Sequence, residues 1–276
     1  MVGYDKIIND ISVLICSKTG INLKRRDRGK IRNIIDNRIS INNNKSLEDY
    51  YEFFITSKEE FNSFIEEIVI NETKFMRDVS HFDYLKNEYF PQLIENVSNS
   101  IVKRIRILSL GCSYGQESYS IGFILNELDI PQDINVSIIG VDISNFAIKK
   151  AESGIYKSFE MRGLNSYFKN KYFKKLENDS YEVVNDIKNM VEFQKLNIME
   201  PSFEIKLNLK FDIIFFKNVV FYFDSTIVSA VIKKVENILK RDSLLILSPS
   251  ETNMSIIKGE NFEEIFYKNT IIYKKL

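Results

Sequence analysis

Several short stretches of this chain carry residue types that can hold a nucleoside. In LSLGCSYGQESYS (108–120), Gly111 and Gly115 stand as G-x-x-x-G where an apolar run ends and a helical pattern begins. Glycines at such a junction let backbone N–H groups approach a ligand closely at a helix N-terminus. The spacing is not the G-x-G-x-x-G dinucleotide fingerprint, which disfavours a nicotinamide dehydrogenase, and alone it equally describes a tight strand-to-helix turn. Asp142 ends the next apolar run, 31 positions after Gly111. A carboxylate there suits the two hydroxyls of a ribose, each a donor to it. Its other role is an N-cap, which Ser144 can also fill. Asn197, Lys217 and Asn218 end two further runs. Asparagines at such places read a purine edge or an amino-acid group, or only cap the strand ends.

Other chemistries lack their parts. The single histidine, His81, is the only residue on which a Ser-His-Asp or Cys-His mechanism can rest, and packing or helix capping is the plainer role for it. Cys16 and Cys112 stand far apart in no metal-ligand spacing, so no metal site is expected and a reducing, cytoplasmic compartment is.

Two patterns must position these residues. Up to about residue 98 the chain reads as helical: Ile31, Ile34, Ile35 and Ile39 share one helix face. Ser57 with Glu60 three positions on predicts a capping box, ahead of an apolar stripe of Phe61, Phe64, Ile65 and Ile68. The run 94–103 reads as a linker. From residue 105 strands alternate with helices. Strands are expected at 105–110, 137–142, 191–197, 211–218 and 243–250, and helices at 116–128, 145–153 and 225–240. Such alternation means a parallel sheet covered on both faces. The tail predicts an antiparallel hairpin about Lys268-Asn269. Residues 155–190 fit no repeat and read as an insertion.

With 276 residues and 44% hydrophobic content the chain can bury a real core. Lys+Arg and Asp+Glu both number 38, which disfavours nucleic acid as the partner. The first twenty residues carry acids and no long apolar run, and no stretch approaches the length of a membrane span, so neither signal peptide nor membrane insertion is expected. Charge is concentrated locally. Between residues 18 and 38, Lys18, Lys24, Arg25, Arg26, Arg28, Lys30, Arg32 and Arg38 face only Asp27 and Asp36, eight against two, or +6. With the isoleucines inward, Lys24, Arg28 and Arg32 share an outward face.

The stretches VINETKFMRDVSHF (69–82), LSLGCSYGQESYSIGFIL (108–125), VDISNFAIKKAESGIY (141–156), MRGLNSYFKNKYF (161–173), VEFQKLNIMEP (191–201) and FDIIFFKNVVFYFD (211–224) together resemble the CheR family of chemoreceptor glutamate methyltransferases. The motifs stand in family order and cover nearly the whole chain, from GINLKRRDRGKIRNIIDNRI (20–39) to SPSET (248–252). NET-x-F-x-R followed by G-C-S-x-G-x-E is the specific part. The resemblance implies an α/β fold: a class I, Rossmann-like methyltransferase domain over 99–276, with a helical N-terminal domain over 1–98 and a small β-subdomain inserted at 155–190. It implies S-adenosyl-L-methionine as cofactor and S-adenosyl-L-homocysteine as product. The cofactor-binding positions would be Asn71, Thr73, Arg77, Glu117, Asp142, Asn197, Ile198, Lys217 and Asn218, with Arg77 and Tyr222 near the transferred methyl group. The partners would be methyl-accepting chemotaxis receptors, facing the basic helix with Arg28 and Arg32.

Three positions depart from the pattern. The family's Arg-Asn-Val is Lys217-Asn218-Val219, its F-F-R has Met76 in the middle, and SPSET replaces a glycine-containing segment. Lysine keeps the charge but loses the planar fork. The implied chemistry suits a chain with one histidine. A glutamate carboxylate is already ionised and nucleophilic, so alignment and exclusion of water matter more than a base. The alternatives are a methyltransferase for RNA or a small molecule, and a cofactor-binding sensor without turnover.

Overall fold

Isoleucines organise the first hundred residues. The computed structural model describes residues 2–23, 28–252, 257 and 261–276. Helices α1 (Val2–Thr19), α2 (Arg28–Ile41), α3 (Leu47–Thr56) and α4 (Lys58–Ile68) enclose Ile7, Ile8, Ile11, Ile15, Ile31, Ile35, Phe54 and Phe64 in one cluster. Ile31 and Ile35 are buried as the helical spacing requires, while Arg28, Lys30 and Arg32 are exposed. Lys24, Arg25, Arg26 and Asp27 lie outside the described residues.

The capping box at Ser57 is half formed. The Ser57 hydroxyl accepts the Glu60 N–H at 3.1 Å, but the Glu60 side chain turns inward. There it accepts from Arg38 Nε, the Tyr50 hydroxyl and Asn42 Nδ2, each at 2.9 Å. Three donors outcompete one backbone N–H, so propensity yields to a buried ion pair. The expected linker is also shorter. After α5 (Val79–Tyr84) and a π-helical turn at Leu85–Tyr89, α6 (Phe90–Ser98) takes up the first half of 94–103. Val97 is buried, and Leu93 and Ile94 pack against the core of the sheet. This periodicity holds the polar run helical.

The remainder alternates as expected: β1 (Arg104–Leu110), α7 (Gln116–Asn126), β2 (Asn135–Asp142), α8 (Asn145–Ser153), then β3 (Ile155–Lys157), α9 (Ser166–Tyr172), β4 (Phe173–Lys175), β5 (Ser180–Val183) and α10 (Asn185–Lys188). Next come β6 (Val191–Lys195), α11 (Phe203–Leu207), β7 (Phe211–Phe215), α12 (Val228–Ile238), β8 (Leu239–Ile246), α13 (Pro249–Thr252), β9 (Phe262–Tyr267) and β10 (Thr270–Lys275). Seven strands form one sheet in the order β6-β2-β1-β7-β8-β10-β9. β1 pairs in parallel with β2 and β7, β2 with β6 and β7 with β8, while β10 runs antiparallel to β8 and β9. The tail hairpin turns at Lys268, whose φ is +50°.

Strand side chains alternate between two cores. Ile105 and Ile107 of β1 face α6 and α7, whereas Leu108 and Leu110 face the cluster that includes Val231 and Val235 of α12. The stretch 155–190 holds a separate three-stranded antiparallel sheet, β3-β5-β4. Its Tyr156, Tyr172 and Phe173 pack on Phe75 and Phe123, tying it to α7.

Candidate functional site

Strand order reverses about β1, and a crevice opens at the carboxyl ends of the strands on both sides of it. One cavity fills that crevice. It is lined by Leu110 to Ser113 after β1, Val141 to Ile143 at β2, Leu196 to Ile198 after β6, and Phe216 to Val219 after β7. The stretch 69–73 and Arg77 close it from the helical side, and Tyr222 and Phe223 from below α12. All ten residues singled out from the sequence line this cavity: Asn71, Thr73, Arg77, Glu117, Asp142, Asn197, Ile198, Lys217, Asn218 and Tyr222.

The turn after β1 needs its glycine. Gly111 has φ +77°, and a Cβ there would lie 2.4 Å from Val219 Cγ2. That close approach lets β1 and β7 share one wall of the cavity.

Asp142 and Ser144 divide two tasks that the sequence left open between them. The Ser144 hydroxyl accepts the Ala147 N–H at 2.9 Å and caps α8. Asp142 instead accepts the Ser113 N–H through Oδ2 and the Ser144 N–H through Oδ1, both at 2.9 Å. Burial pushes its pKa up and the backbone donors pull it part of the way back. The carboxylate is thus fixed at the ligand edge with lone pairs to spare.

Glu117 faces a similar balance. Its Oε1 accepts the Ser109 hydroxyl at 2.8 Å, and its Oε2 lies 3.6 Å from Lys217 Nζ. Burial raises its pKa, and the Lys217 charge offsets only part of that. The Lys217 side chain is 1% exposed; its ammonium donates to the Arg77 carbonyl at 2.9 Å and lies 3.0 Å from Asp78 Oδ2. Burial alone would raise Asp78, but the Lys217 charge and hydrogen bond hold it below the usual carboxylate range. The lysine amine is therefore engaged by three protein oxygens, and its stem and charge form the cavity wall. His81 sits behind this wall, fully buried, with Nε2 against the Thr270 hydroxyl. It lines no part of the cavity.

The stretch 71–77 is pinned from the turn after β1 and from α7. The Ser113 hydroxyl donates to the Asn71 carbonyl at 3.0 Å, and the Met76 N–H to the Ser120 hydroxyl at 2.9 Å. Among the described residues the Arg77 side chain makes one weak hydrogen bond, from Nη1 to the Glu72 carbonyl at 3.4 Å. Asn197 spends its amide on the protein, donating to the Lys18 carbonyl at 2.8 Å and accepting the Met199 N–H at 2.9 Å. Tyr222 ends a short 3₁₀ turn at Val220–Tyr222, and its carbonyl accepts the Asn22 N–H at 2.8 Å beside an isolated bridge between Ile21 and Phe223.

A family profile described as CheR methyltransferase, SAM binding domain, matches residues 71–271. The chain is also 35% identical over 266 residues to a chemotaxis protein methyltransferase of Borreliella burgdorferi, spanning 95% of this chain and 91% of that one. The chain belongs to the CheR methyltransferases. A second relative, chemotaxis protein methyltransferase 2 of Vibrio cholerae, is 30% identical over 260 residues, spanning 93% and 88%. Like the family, the protein is an S-adenosylmethionine-dependent methyltransferase.

The donor set of the cavity fits that cofactor. It offers carboxylates at Asp142 and Glu117, a guanidinium at Arg77, and apolar walls from Leu196, Ile198, Ile143 and Val219. A nucleoside carrying a zwitterionic amino-acid end needs those groups. Among the described residues there is no cluster that could hold a metal ion. No helix among them is long and apolar enough to cross a membrane.

Sequence reasoning missed two carboxylates that shape this CheR site. Glu66 of α4 accepts the Asn145 N–H at 2.7 Å and also bonds the Ser144 hydroxyl, bracing the loop that carries Asp142. Glu251, within SPSET, receives the loop after β7. Glu66 acts 79 residues away on Asn145. Glu251 also meets Ser248 three residues back, but it reaches the loop after β7 across 31 to 33 residues. Local spacing therefore gave no signal for either role at the site.

Proposed function

We propose that this chain transfers the methyl group of S-adenosyl-L-methionine to glutamate side-chain carboxylates of methyl-accepting chemotaxis receptors, leaving methyl esters. The observation that carries this reading is the place of Tyr222. It lies on the wall shared by the cofactor cavity and a second groove, lined by Lys30, Ile31 and Ile34 of α2, Glu67 to Ile70, and Phe221. An acceptor in that groove would meet the cavity at the Tyr222 side chain.

Roles follow from chemistry. Asp142 would take the ribose hydroxyls, and Glu117 the ammonium of the amino-acid end. Arg77 would pair with a carboxylate, of cofactor or acceptor, through its fork. Asn71, Thr73, Asn197, Ile198, Lys217 and Asn218 would complete the cofactor's walls. The cofactor supplies a methyl group activated on a sulfonium. A glutamate carboxylate is ionised at neutral pH, so the chain's own residues have only to align it and exclude water. A cavity without a histidine suits that reaction.

Residues 1–98 would form the receptor-facing helical domain with its linker, and 99–276 the methyltransferase domain with 155–190 inserted. A cytoplasmic location follows from such a partner. The exposed Arg28 and Arg32 on α2 would face the acidic receptor helix. The test is purified protein with methyl-labelled cofactor and receptor-bearing membranes. Label released from the membranes by mild base is expected. Cofactor binding with no base-labile label would replace this reading by the sensor.

A further inference from the structure

The loop after β7 has a backbone problem that its own sequence cannot solve. Asn218 adopts φ +59°, and Val219 and Val220 then turn into the 3₁₀ turn that ends at Tyr222. Three consecutive N–H groups, of Asn218, Val219 and Val220, point toward one spot and leave the sheet ladder. Shielded from water and unpaired, each would carry the full desolvation penalty of a lost hydrogen bond.

The Glu251 side chain, 0% exposed, occupies that spot. Its Oε2 accepts the Asn218 N–H at 2.8 Å, the Ser248 N–H at 3.0 Å and the Ser248 hydroxyl at 2.6 Å. Its Oε1 accepts the N–H groups of Val219 and Val220, both at 2.8 Å. An anion enclosed by converging backbone donors fixes their directions, much as a bound anion orders a nest of N–H groups. The Tyr222 N–H then donates to the Val219 carbonyl at 3.0 Å, passing the restraint to the tyrosine.

We infer that Glu251 is a positioning residue for methyl transfer: its carboxylate sets the Asn218–Val219 wall of the cofactor cavity and aims Tyr222 at the shared wall with the groove. Glu251 does not itself line the cavity. The inference rests on the Tyr222 reading above for its second half and on the cavity alone for its first.

Glu251→Gln tests it, because the amide keeps the volume but turns an NH₂ toward donors. At saturating receptor and cofactor, turnover should fall about ten-fold or more, and the KM for cofactor should rise several-fold, per folded molecule counted by circular dichroism. Ser248→Ala deletes one of the five bonds and inserts no clash, so a smaller loss of turnover in a folded protein is expected. It also decides the matter where the glutamine variant does not fold. A lowered unfolding midpoint with wild-type turnover and KM in the folded fraction of both variants would make Glu251 a brace only and overturn the inference. Tyr222→Phe separates the halves. Wild-type turnover there beside a loss in Glu251→Gln would sink the tyrosine's role and leave Glu251 as the setter of the cofactor wall.

Discussion

Two cations, the partly buried Arg38 and the buried Lys217, are each held between two carboxylates with opposite consequences in this molecule. Arg38 of α2 pairs with Glu60 at 2.5 Å and Glu67 at 3.4 Å; Lys217 pairs with Asp78 at 3.0 Å and Glu117 at 3.6 Å. In the first cluster Glu60 receives donors from Arg38, Tyr50 and Asn42. Burial would raise its pKa, but those hydrogen bonds hold it below the ordinary carboxylate range. In the second, Glu117 has one hydroxyl and a more distant ammonium, lines the cavity, and is pushed up. A carboxylate whose acceptors are filled by its own protein is a cross-brace. One left short of donors beside an opening can receive a ligand's.

Breaking the closed cluster should give the largest effect on stability. Glu60→Ala strands the fully buried Tyr50 hydroxyl and takes the nearer carboxylate from a partly buried Arg38, at a cost of about 2 kcal/mol or more. Denaturant unfolding should show this loss, while calorimetry on the folded variant should find cofactor affinity unchanged. A matching drop in affinity would mean that the two regions are coupled and the contrast is false.

On the open side, Asp142→Ala should weaken S-adenosylmethionine binding by about 1–3 kcal/mol, the value of lost charge-assisted hydrogen bonds. Calorimetry with an intact fold and unchanged affinity would remove Asp142 from the site.

His81, behind Lys217, probes the same cluster from its dry side. Burial first and the Lys217 charge second lower its pKa from 6.5 to about 3. The folded value lies below the unfolded one, so the unfolded chain binds the extra proton within that window. The stability contribution is complete above pH 6.5 and drains away as pH falls toward 3, at roughly 1 kcal/mol per unit. His81→Gln should flatten that slope between pH 6.5 and 5, above the range of ordinary carboxylates; the raised Glu117 and Asp142 are common to both proteins and drop out of the comparison. An unchanged slope in urea titrations would place the acid sensitivity elsewhere.

How legible these regions were depends on the range of the forces behind them. The alternating sheet was readable because each strand announces itself within six to eight residues of apolar run, and β1, β2 and α8 fall within two residues of their expected places. β8 starts four residues early, at Leu239. Its first turn of sequence is Lys240-Arg241-Asp242, whose charges find Asp212 and Lys274 across the sheet edge. The ten cavity residues were found through motif resemblance, and periodicity alone reached only Asp142, Asn197, Lys217 and Asn218. What stayed hidden is the set of carboxylates that act at long range. Glu60 reads locally as a cap residue and Glu251 as part of a substituted segment, and Glu66 stands in no motif. Ser248 is a local partner of Glu251, but the contacts by which these carboxylates brace the site or the helical core reach residues 10 to 80 positions away.

The basic run on α2 sharpens the contrast last and most gently, because surface charge is worth least. Arg38 was counted in that run, yet it belongs to the closed brace, and Lys18 lies 5.0 Å from the Phe61 ring. The described outward charges are therefore Arg28, Lys30 and Arg32, with Arg32 also resting 4.5 Å over the Tyr4 ring. Lys30 lines the groove that meets the cavity at Tyr222. An acidic receptor helix laid in that groove would run past these residues, gaining modest, salt-screened attraction and a faster encounter. Arg28→Glu with Arg32→Glu should raise the apparent KM for receptor several-fold at low salt, with the difference shrinking as salt rises. Cofactor affinity should stay put, since neither residue lines the cavity. Wild-type kinetics in the double variant at low salt would return α2 to an ordinary solvated helix, and would leave the groove's apolar floor, Ile31, Ile34 and Ile70, as what holds the acceptor.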